Sequence, residues 1–171
     1  AGKRSTRGAA YARALGATLA DAKLEPAYRA EMLRLPSQAD IAREIGKDVD
    51  PALVYKAHRQ LMRLIGQTLG DTLEHLYQSL APKGAFSPDA ASAGKRALRN
   101  TALTFLVARG EKQDHERLAA HFFNARNMTD EAAGLMLMAQ ENGPERARAL
   151  THFHDRWQGD HLVIDSWFAA Q

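Results

Sequence analysis

Apolar residues recur at helical spacing along almost the whole chain, and this periodicity constrains the fold more than any other feature. β-Branched residues are scarce, whereas leucine, alanine, arginine and glutamate, which favour helices, are abundant. No segment has the strict alternation that is typical of a strand. With 171 residues, of which 45% are hydrophobic, the chain can bury one core or two small ones. The pattern therefore predicts an all-α protein without a β-sheet.

Proline, glycine and capping residues divide the chain into nine predicted helices. Ser37 with Asp40 forms a capping-box pattern, and Asp50 precedes a proline at a first helical position. The helices are expected at residues 7–23, 26–35, 37–46, 50–80, 89–109, 113–124, 129–141, 144–158 and 162–169. Short connections favour antiparallel helix pairs that form an α-solenoid of the ARM/HEAT kind or a helical array, as readily as a closed bundle. We expect a single helical domain over residues 1–171, with a candidate internal break at residues 81–87.

The same periodicity predicts which face of each helix is buried. On the helix at residues 89–109, the predicted core residues are Leu98, Ala102, Phe105 and Leu106. The stripes predicted for the first two helices are Tyr11, Leu15, Thr18 and Leu19, and then Tyr28, Met32 and Leu35. The stripe predicted for the long helix is Leu53, Val54, Ala57, Leu61, Leu64, Ile65, Leu69, Leu73, Leu76 and Leu80.

Charge and apolar run length indicate which partners to expect. The longest uncharged apolar runs, residues 101–108 and 132–140, are far shorter than the roughly 20 residues of a membrane helix. Residues 1–86 hold 13 basic and 9 acidic side chains, and residues 87–171 hold 10 and 11, so no strongly basic region stands out. Lys95, Arg96 and Arg99 are interpreted as a solvated face or as donors of internal ion pairs. We expect neither a membrane nor a nucleic acid as a partner.

Seven histidines are the candidate metal ligands, because the chain has no cysteine. His115 and Glu116 begin like a His-Glu-x-x-His zinc motif, but the next histidine, His121, comes two residues too late. His152, His154 and His161 lie near one another in sequence, but residues two apart on a helix do not face each other. We therefore assign no catalytic, cofactor-binding or metal-ligating residue.

Paired carboxylates and large apolar side chains have structural interpretations. The pairs Asp48 with Asp50 and Asp130 with Glu131 lie at helix starts, where negative charge complements the helix dipole. The methionines and leucines at residues 128 and 135–138 are expected to fill the core. Trp167 and Phe168 end a nearly continuous apolar stretch. This stretch is expected either to pack against a segment outside the chain or to fold back on the preceding helix.

Several strings occur together in an order that resembles the bacterial aminopeptidase N family. They lie at residues 35–42, 50–51, 77, 92–100, 127–130 and 162–168. The most specific are Lys-Arg-Ala-Leu-Arg-Asn at residues 95–100 and Asn-Met-Thr-Asp at residues 127–130. The resemblance covers nearly the whole chain from about Leu24 onward, and it falls in the C-terminal helical domain of that family.

The resemblance implies one part of a multidomain zinc metalloaminopeptidase of the gluzincin type, which removes N-terminal amino acids from peptides, alanine included. In that family the catalytic domain supplies the zinc ligands and the general base, and the helical domain covers the active site and limits substrate access. The family's catalytic motifs are absent from this chain. The resemblance thus implies no cofactor in this chain, zinc in the parent enzyme, and the parent's catalytic domain and peptide substrates as partners.

Two further expectations concern the context of the chain. It begins at Ala1 without a methionine, and the family's helical domain continues beyond the match, so we expect a piece of a longer, cytoplasmic protein. The alternative function is a free-standing α-solenoid that binds a protein or peptide through one helical face.

Overall fold

The computed structural model describes residues 6–171, and within that range the chain forms ten α-helices and no strand. In chain order they are α1 (Thr6–Ala20), α2 (Pro26–Met32), α3 (Gln38–Ile45), α4 (Pro51–Thr68), α5 (Gly70–Ser79), α6 (Ala90–Arg109), α7 (Lys112–Phe123), α8 (Met128–Met138), α9 (Pro144–Trp157) and α10 (His161–Ala170). The prediction of an all-α fold is confirmed for these residues. Eight of the nine predicted helices correspond to one observed helix each.

The predicted helix over residues 50–80 is wrong as a single element, because it divides into α4 and α5 at Leu69. Leu69 has φ −110° and ψ 15°, outside the helical region. The glycines on either side pack against α6: the Phe105 carbonyl oxygen occupies the space of a Cβ at Gly66, and the Arg109 guanidinium lies against Gly70. The spacing of apolar residues carries no information about such close backbone contacts. The apolar periodicity therefore continues across Leu69 and predicted one uninterrupted helix.

Helices α1–α6 form the first of two compact units, which among the described residues comprises 6–83 and 87–110. Helix α6 is its centre and packs against α2, α4 and α5, while α1 packs against α4. The predicted α6 core is confirmed, because Leu98, Ala102, Phe105 and Leu106 are all buried. The helix ends where Gly110 adopts the left-handed conformation, as a C-terminal glycine does.

The predicted buried faces of the first unit need three corrections. In α2, Tyr28 and Met32 are exposed, and the buried residues are Ala30 and Leu33. A helix of seven residues completes only two turns, so its apolar spacing fits two faces equally well. Tyr11 of α1 and, in α4, Leu53 and Ala57 are also exposed, because no described helix covers those positions.

Helices α7–α10 form the second compact unit, which comprises residues 84–86 and 111–171. Helix α8 packs against α7, α9 and α10, and α9 packs against α10. Phe122 and Phe153 are the largest fully buried apolar side chains of this core. Gly134 allows α8 to approach α7 closely, since a Cβ at this position would lie 2.9 Å from Cβ of Phe122.

Side-chain caps begin several helices, and two of them, at Ser37 and Asp50, were predicted from the sequence. The Asp40 backbone N–H donates to Ser37 Oγ at 3.1 Å, and the Asp40 carboxylate accepts from the Ser37 N–H, which completes the capping box. Asp50 caps α4 by accepting from the backbone N–H of Ala52 and Leu53. Asp89 accepts from the Ser92 N–H at 2.9 Å. Hydrogen bonds from Ser87 and Ser92 hold the pKa of Asp89 well below 3.8, its ordinary value.

Candidate functional site

The histidines of the incomplete zinc motif do not form a metal site. His115 Nδ1 lies 3.1 Å from the Glu141 carboxylate, and Glu116 pairs with Lys112 on an exposed surface. His121 is buried. Among residues 6–171, no group of three or more histidine, aspartate or glutamate side chains could hold a metal ion. The residues of this chain therefore do not fit the zinc ion that the family resemblance implies for the parent enzyme.

The histidines near the C-terminus have separate aromatic partners. The His152 ring lies edge-on to Phe122 and Phe123, with ring centroids 5.6 and 5.2 Å apart. The His154 ring lies 5.0 Å from that of Trp167. His161 begins α10 and is exposed. The structure thus does not bring these three imidazoles together, and each takes part in the packing or surface of its own helix.

The basic cluster on α6 is used largely for bonds inside the first unit. Arg96 donates to the Ser87 carbonyl at 2.8 Å, and Arg99 donates to the Tyr77 carbonyl at 3.2 Å. The Arg99 guanidinium also lies 4.3 Å from the centre of the Tyr77 ring. Arg96 and Arg99 thus bond to backbone carbonyls of the first unit, a use that the interpretation as a solvated face or as ion-pair donors did not include. Only Lys95 is exposed.

Sequence reasoning missed a buried polar cluster in the second unit. Glu131 is 2% exposed, and its Oε1 accepts from the Trp157 indole N–H at 3.0 Å. The Arg156 guanidinium lies 3.5 Å from the same oxygen. Glu131 lies in the first turn of α8, as predicted, but its side chain bonds to Trp157 of α9 and does not cap its own helix. A buried carboxylate requires such partners. In the sequence, the only signs of this cluster are Arg156 and Trp157, which follow Glu131 by 25 and 26 residues.

Asp114 and Asp130 are also buried in this unit. Asp114 binds Arg117 one turn later on α7. Asp130 belongs to the N-terminal cap of α8: its backbone N–H donates to Asn127 Oδ1, and its carboxylate accepts from Asn127 Nδ2, both at 2.9 Å. The Asn-Met-Thr-Asp string of the family resemblance is thus a capping structure, so its residues have a structural use in this chain.

Several regions expose large apolar side chains, and we consider two of them as candidates for an interface. In the first unit, Ile45, Leu53 and Tyr55 are 54%, 63% and 54% exposed. In the second unit, α10 has no buried residue, and Leu162 and Phe168 are 87% and 65% exposed. The α10 stretch does fold back on α9 in part, because Trp167 Nε1 donates to the Leu150 carbonyl at 2.9 Å.

Comparison with known proteins identifies the family. The family described as "Domain of unknown function (DUF3458_C) ARM repeats" matches residues 1–171. Aminopeptidase N of Caulobacter vibrioides is 44% identical over 161 residues, which are 94% of this chain and 18% of that protein. Aminopeptidase N of Escherichia coli is 34% identical over 92% of this chain and 18% of its own length.

A solved structure agrees with the fold. The crystal structure of Legionella pneumophila aminopeptidase A in complex with aspartic acid matches 93% of this chain and 20% of that one, with a TM-score of 0.80. Its sequence identity of 22% makes it a likeness of fold alone. The ARM-repeat description confirms the predicted helical array of the solenoid kind.

The fold and its uncovered helical faces thus define an ARM-repeat helical domain. The chain belongs to the DUF3458_C family and is a C-terminal domain of the aminopeptidase N type. It spans about a fifth of the length of the relatives that it matches. Within residues 6–171, no helix combines the length and the apolar character needed to cross a membrane.

Proposed function

We propose that this chain is the non-catalytic helical domain of a zinc-dependent, cytoplasmic aminopeptidase N-like enzyme that removes N-terminal amino acids from peptides. The domain covers the active site of the parent and gates the access of substrates. Its partner is the catalytic domain of the same polypeptide, and the substrates of the parent are peptides. One observation carries the proposal: the match spans the whole chain, yet only 18% of the aminopeptidases N that it resembles.

The chemistry of the chain supports a role in covering the active site rather than a catalytic role. An aminopeptidase of the zinc type needs a metal with an open coordination position and a general base beside it. The sequence has no His-Glu-x-x-His motif, and the histidines and acids of the described residues take part in caps, ion pairs and aromatic packing. A helical array with uncovered faces is suited to packing over another domain.

The first test separates the domain from the enzyme. The isolated chain, incubated with zinc and an alanyl-anilide substrate, is expected to release no product. A hybrid in which this chain replaces the matching segment of the Caulobacter enzyme is expected to hydrolyse that substrate. Turnover by the isolated chain at enzyme-like rates, or a folded hybrid that binds zinc without turnover, would contradict the proposal.

The second test addresses gating. The ratio of kcat/KM for a dipeptide to that for a 20-residue peptide is compared between the hybrid and the Caulobacter enzyme lacking the segment. If the domain limits access, its removal lowers this ratio at least about tenfold, because long peptides then reach the active site. Zinc content measured on both proteins controls for an intact catalytic domain. An unchanged ratio would show that the domain does not gate substrates.

A further inference from the structure

The corner formed by α3 and the start of α4 exposes apolar side chains that no described helix covers. We define this α3–α4 corner as residues 37–57. Helix α3 has no buried residue, although its apolar residues lie on one side. In the first two turns of α4 only Val54 is buried. Ile45, Leu53 and Tyr55 are each more than half exposed.

Local hydrogen bonds hold the corner in one conformation although it buries little. Ser37 and Asp50 cap its two helices, and the turn between the helices contains Gly46 with φ 82°. Asp48 has φ 52° and is the one non-glycine residue with positive φ among residues 6–171. Aspartate adopts this left-handed conformation more readily than most non-glycine residues do, so Asp48 and Gly46 together define the turn. A surface already held in one conformation loses less entropy when a partner binds.

The charges around the corner indicate the chemistry of the partner. The corner carries four acidic and three basic side chains, which are Asp40, Glu44, Asp48, Asp50, Arg43, Lys47 and Lys56. A nucleic acid or an anionic lipid surface requires a clear excess of positive charge. Exposed leucine, isoleucine and tyrosine among charges of both signs are typical of a protein–protein interface.

The exposed face of α10 is less suited to docking. Leu162 and Phe168 are six residues apart, and the exposed Asp165 lies midway between them on the helix. A partner that covered both apolar side chains would also have to desolvate this carboxylate, which is costly without a cation opposite it. At the corner, Asp50 beside Leu53 is engaged as a cap of its own helix, and the exposed Asp48 and Lys56 border the apolar side chains.

We propose that the α3–α4 corner is the surface on which the rest of an aminopeptidase N-like polypeptide docks. The inference rests on the proposed function. More than four fifths of the length of the matched aminopeptidases N lies outside the region that corresponds to this chain. This remaining part of the polypeptide is the partner that covers the corner. Leu53 is the central contact, and Ile45 extends the surface along α3. Tyr55 lies two residues after Leu53 and therefore faces another side of α4.

Thiol labelling tests the proposal, because the chain has no cysteine of its own. Leu53→Cys and Leu162→Cys are matched variants: each places a thiol at an exposed leucine in the first turn of a helix that an aspartate caps. N-Ethylmaleimide labelling is followed by peptide mass spectrometry in the isolated chain and in the hybrid with the Caulobacter enzyme. We expect similar rates at both positions in the isolated chain, and at least a tenfold slower rate at position 53 in the hybrid.

An unchanged labelling rate at position 53 in the hybrid would overturn the inference. Slower labelling at position 162 alone would also overturn it, because the docking surface would then be α10. Hydrolysis of the alanyl-anilide by the unsubstituted hybrid is measured separately. An active hybrid with an exposed position 53 leaves the proposed function intact and removes the docking surface, whereas slow labelling in an inactive hybrid supports the surface and contradicts the proposed function.

Discussion

The two compact units bury different kinds of side chain. The first unit is built around α6, on which nine residues are buried, all but one of them glycine or apolar. The second unit buries Asp114, Asp130, Glu131 and His121 beside its phenylalanines. An apolar core is held by area removed from water, whereas a core with carboxylates depends on complete hydrogen bonding. The comparison teaches that two helical units of one chain can reach stability by different means.

The aromatic residues allow the units to be followed separately. All four tyrosines lie in the first unit, and both tryptophans, Trp157 and Trp167, lie in the second. Tryptophan emission excited at 295 nm therefore reports the second unit, while far-UV circular dichroism reports the helices of both. The prediction for the second unit uses this difference.

The largest expected effect is the loss of the α6 core in the first unit. Phe105→Ala removes a ring that is 3% exposed and is expected to lower the free energy of unfolding by about 3–5 kcal/mol. Urea unfolding followed by circular dichroism measures it. Leu53→Ala, an apolar truncation at an exposed position, is the control and should cost under about 0.5 kcal/mol. A cost below about 1 kcal/mol for Phe105→Ala would contradict the apolar core.

The second unit is expected to depend on the acceptor at Glu131. Glu131→Leu leaves the partly buried Trp157 indole N–H without its acceptor and should cost about 1–3 kcal/mol, measured by tryptophan emission during urea unfolding. Glu131→Gln keeps an oxygen acceptor and should cost less. If the leucine variant were as stable as the unsubstituted protein, the second unit would not need its polar core.

Part of the structure of the first unit could be predicted from the sequence. The α6 stripe and the Ser37 and Asp50 caps follow from periodicity and local chemistry, which act within a few residues. The break at Leu69 arises because Gly66 meets the backbone of α6, a contact 39 residues away along the chain. The partner of Glu131 is likewise 26 residues distant. The break at Leu69 and the partner of Glu131 were therefore not predicted, because both depend on contacts between residues far apart in the sequence.

A smaller effect is expected from the charge at the start of α6. Because the pKa of Asp89 is lowered in the folded protein, its charge stabilises the fold above the unfolded value near 3.8 and loses this effect as pH falls below it. Asp89→Asn keeps a capping oxygen but has no charge. The stability difference between the two proteins, followed by circular dichroism, should therefore shrink from pH 7 to pH 3. A difference that grows on acidification would contradict the assignment.

The smallest effects are expected at the exposed leucines of both units. Leu53→Asp and Leu162→Asp should each change the free energy of unfolding of the isolated chain by less than about 0.5 kcal/mol, because neither side chain packs in a core. Differential scanning calorimetry measures both. A large loss in either variant would show that the uncovered face of that unit packs against its own chain.

The glycine contacts also govern how this sequence can vary. At Gly66 the opposing atom is the carbonyl oxygen of Phe105, which every amino acid carries, so no second substitution at position 105 can make room for a side chain. At Gly70 the opposing atoms belong to the guanidinium end of Arg109, which a shorter residue would remove. A side chain at position 66 thus requires α4 and α6 to move apart, whereas the contact at position 70 can be relieved by a second substitution at position 109.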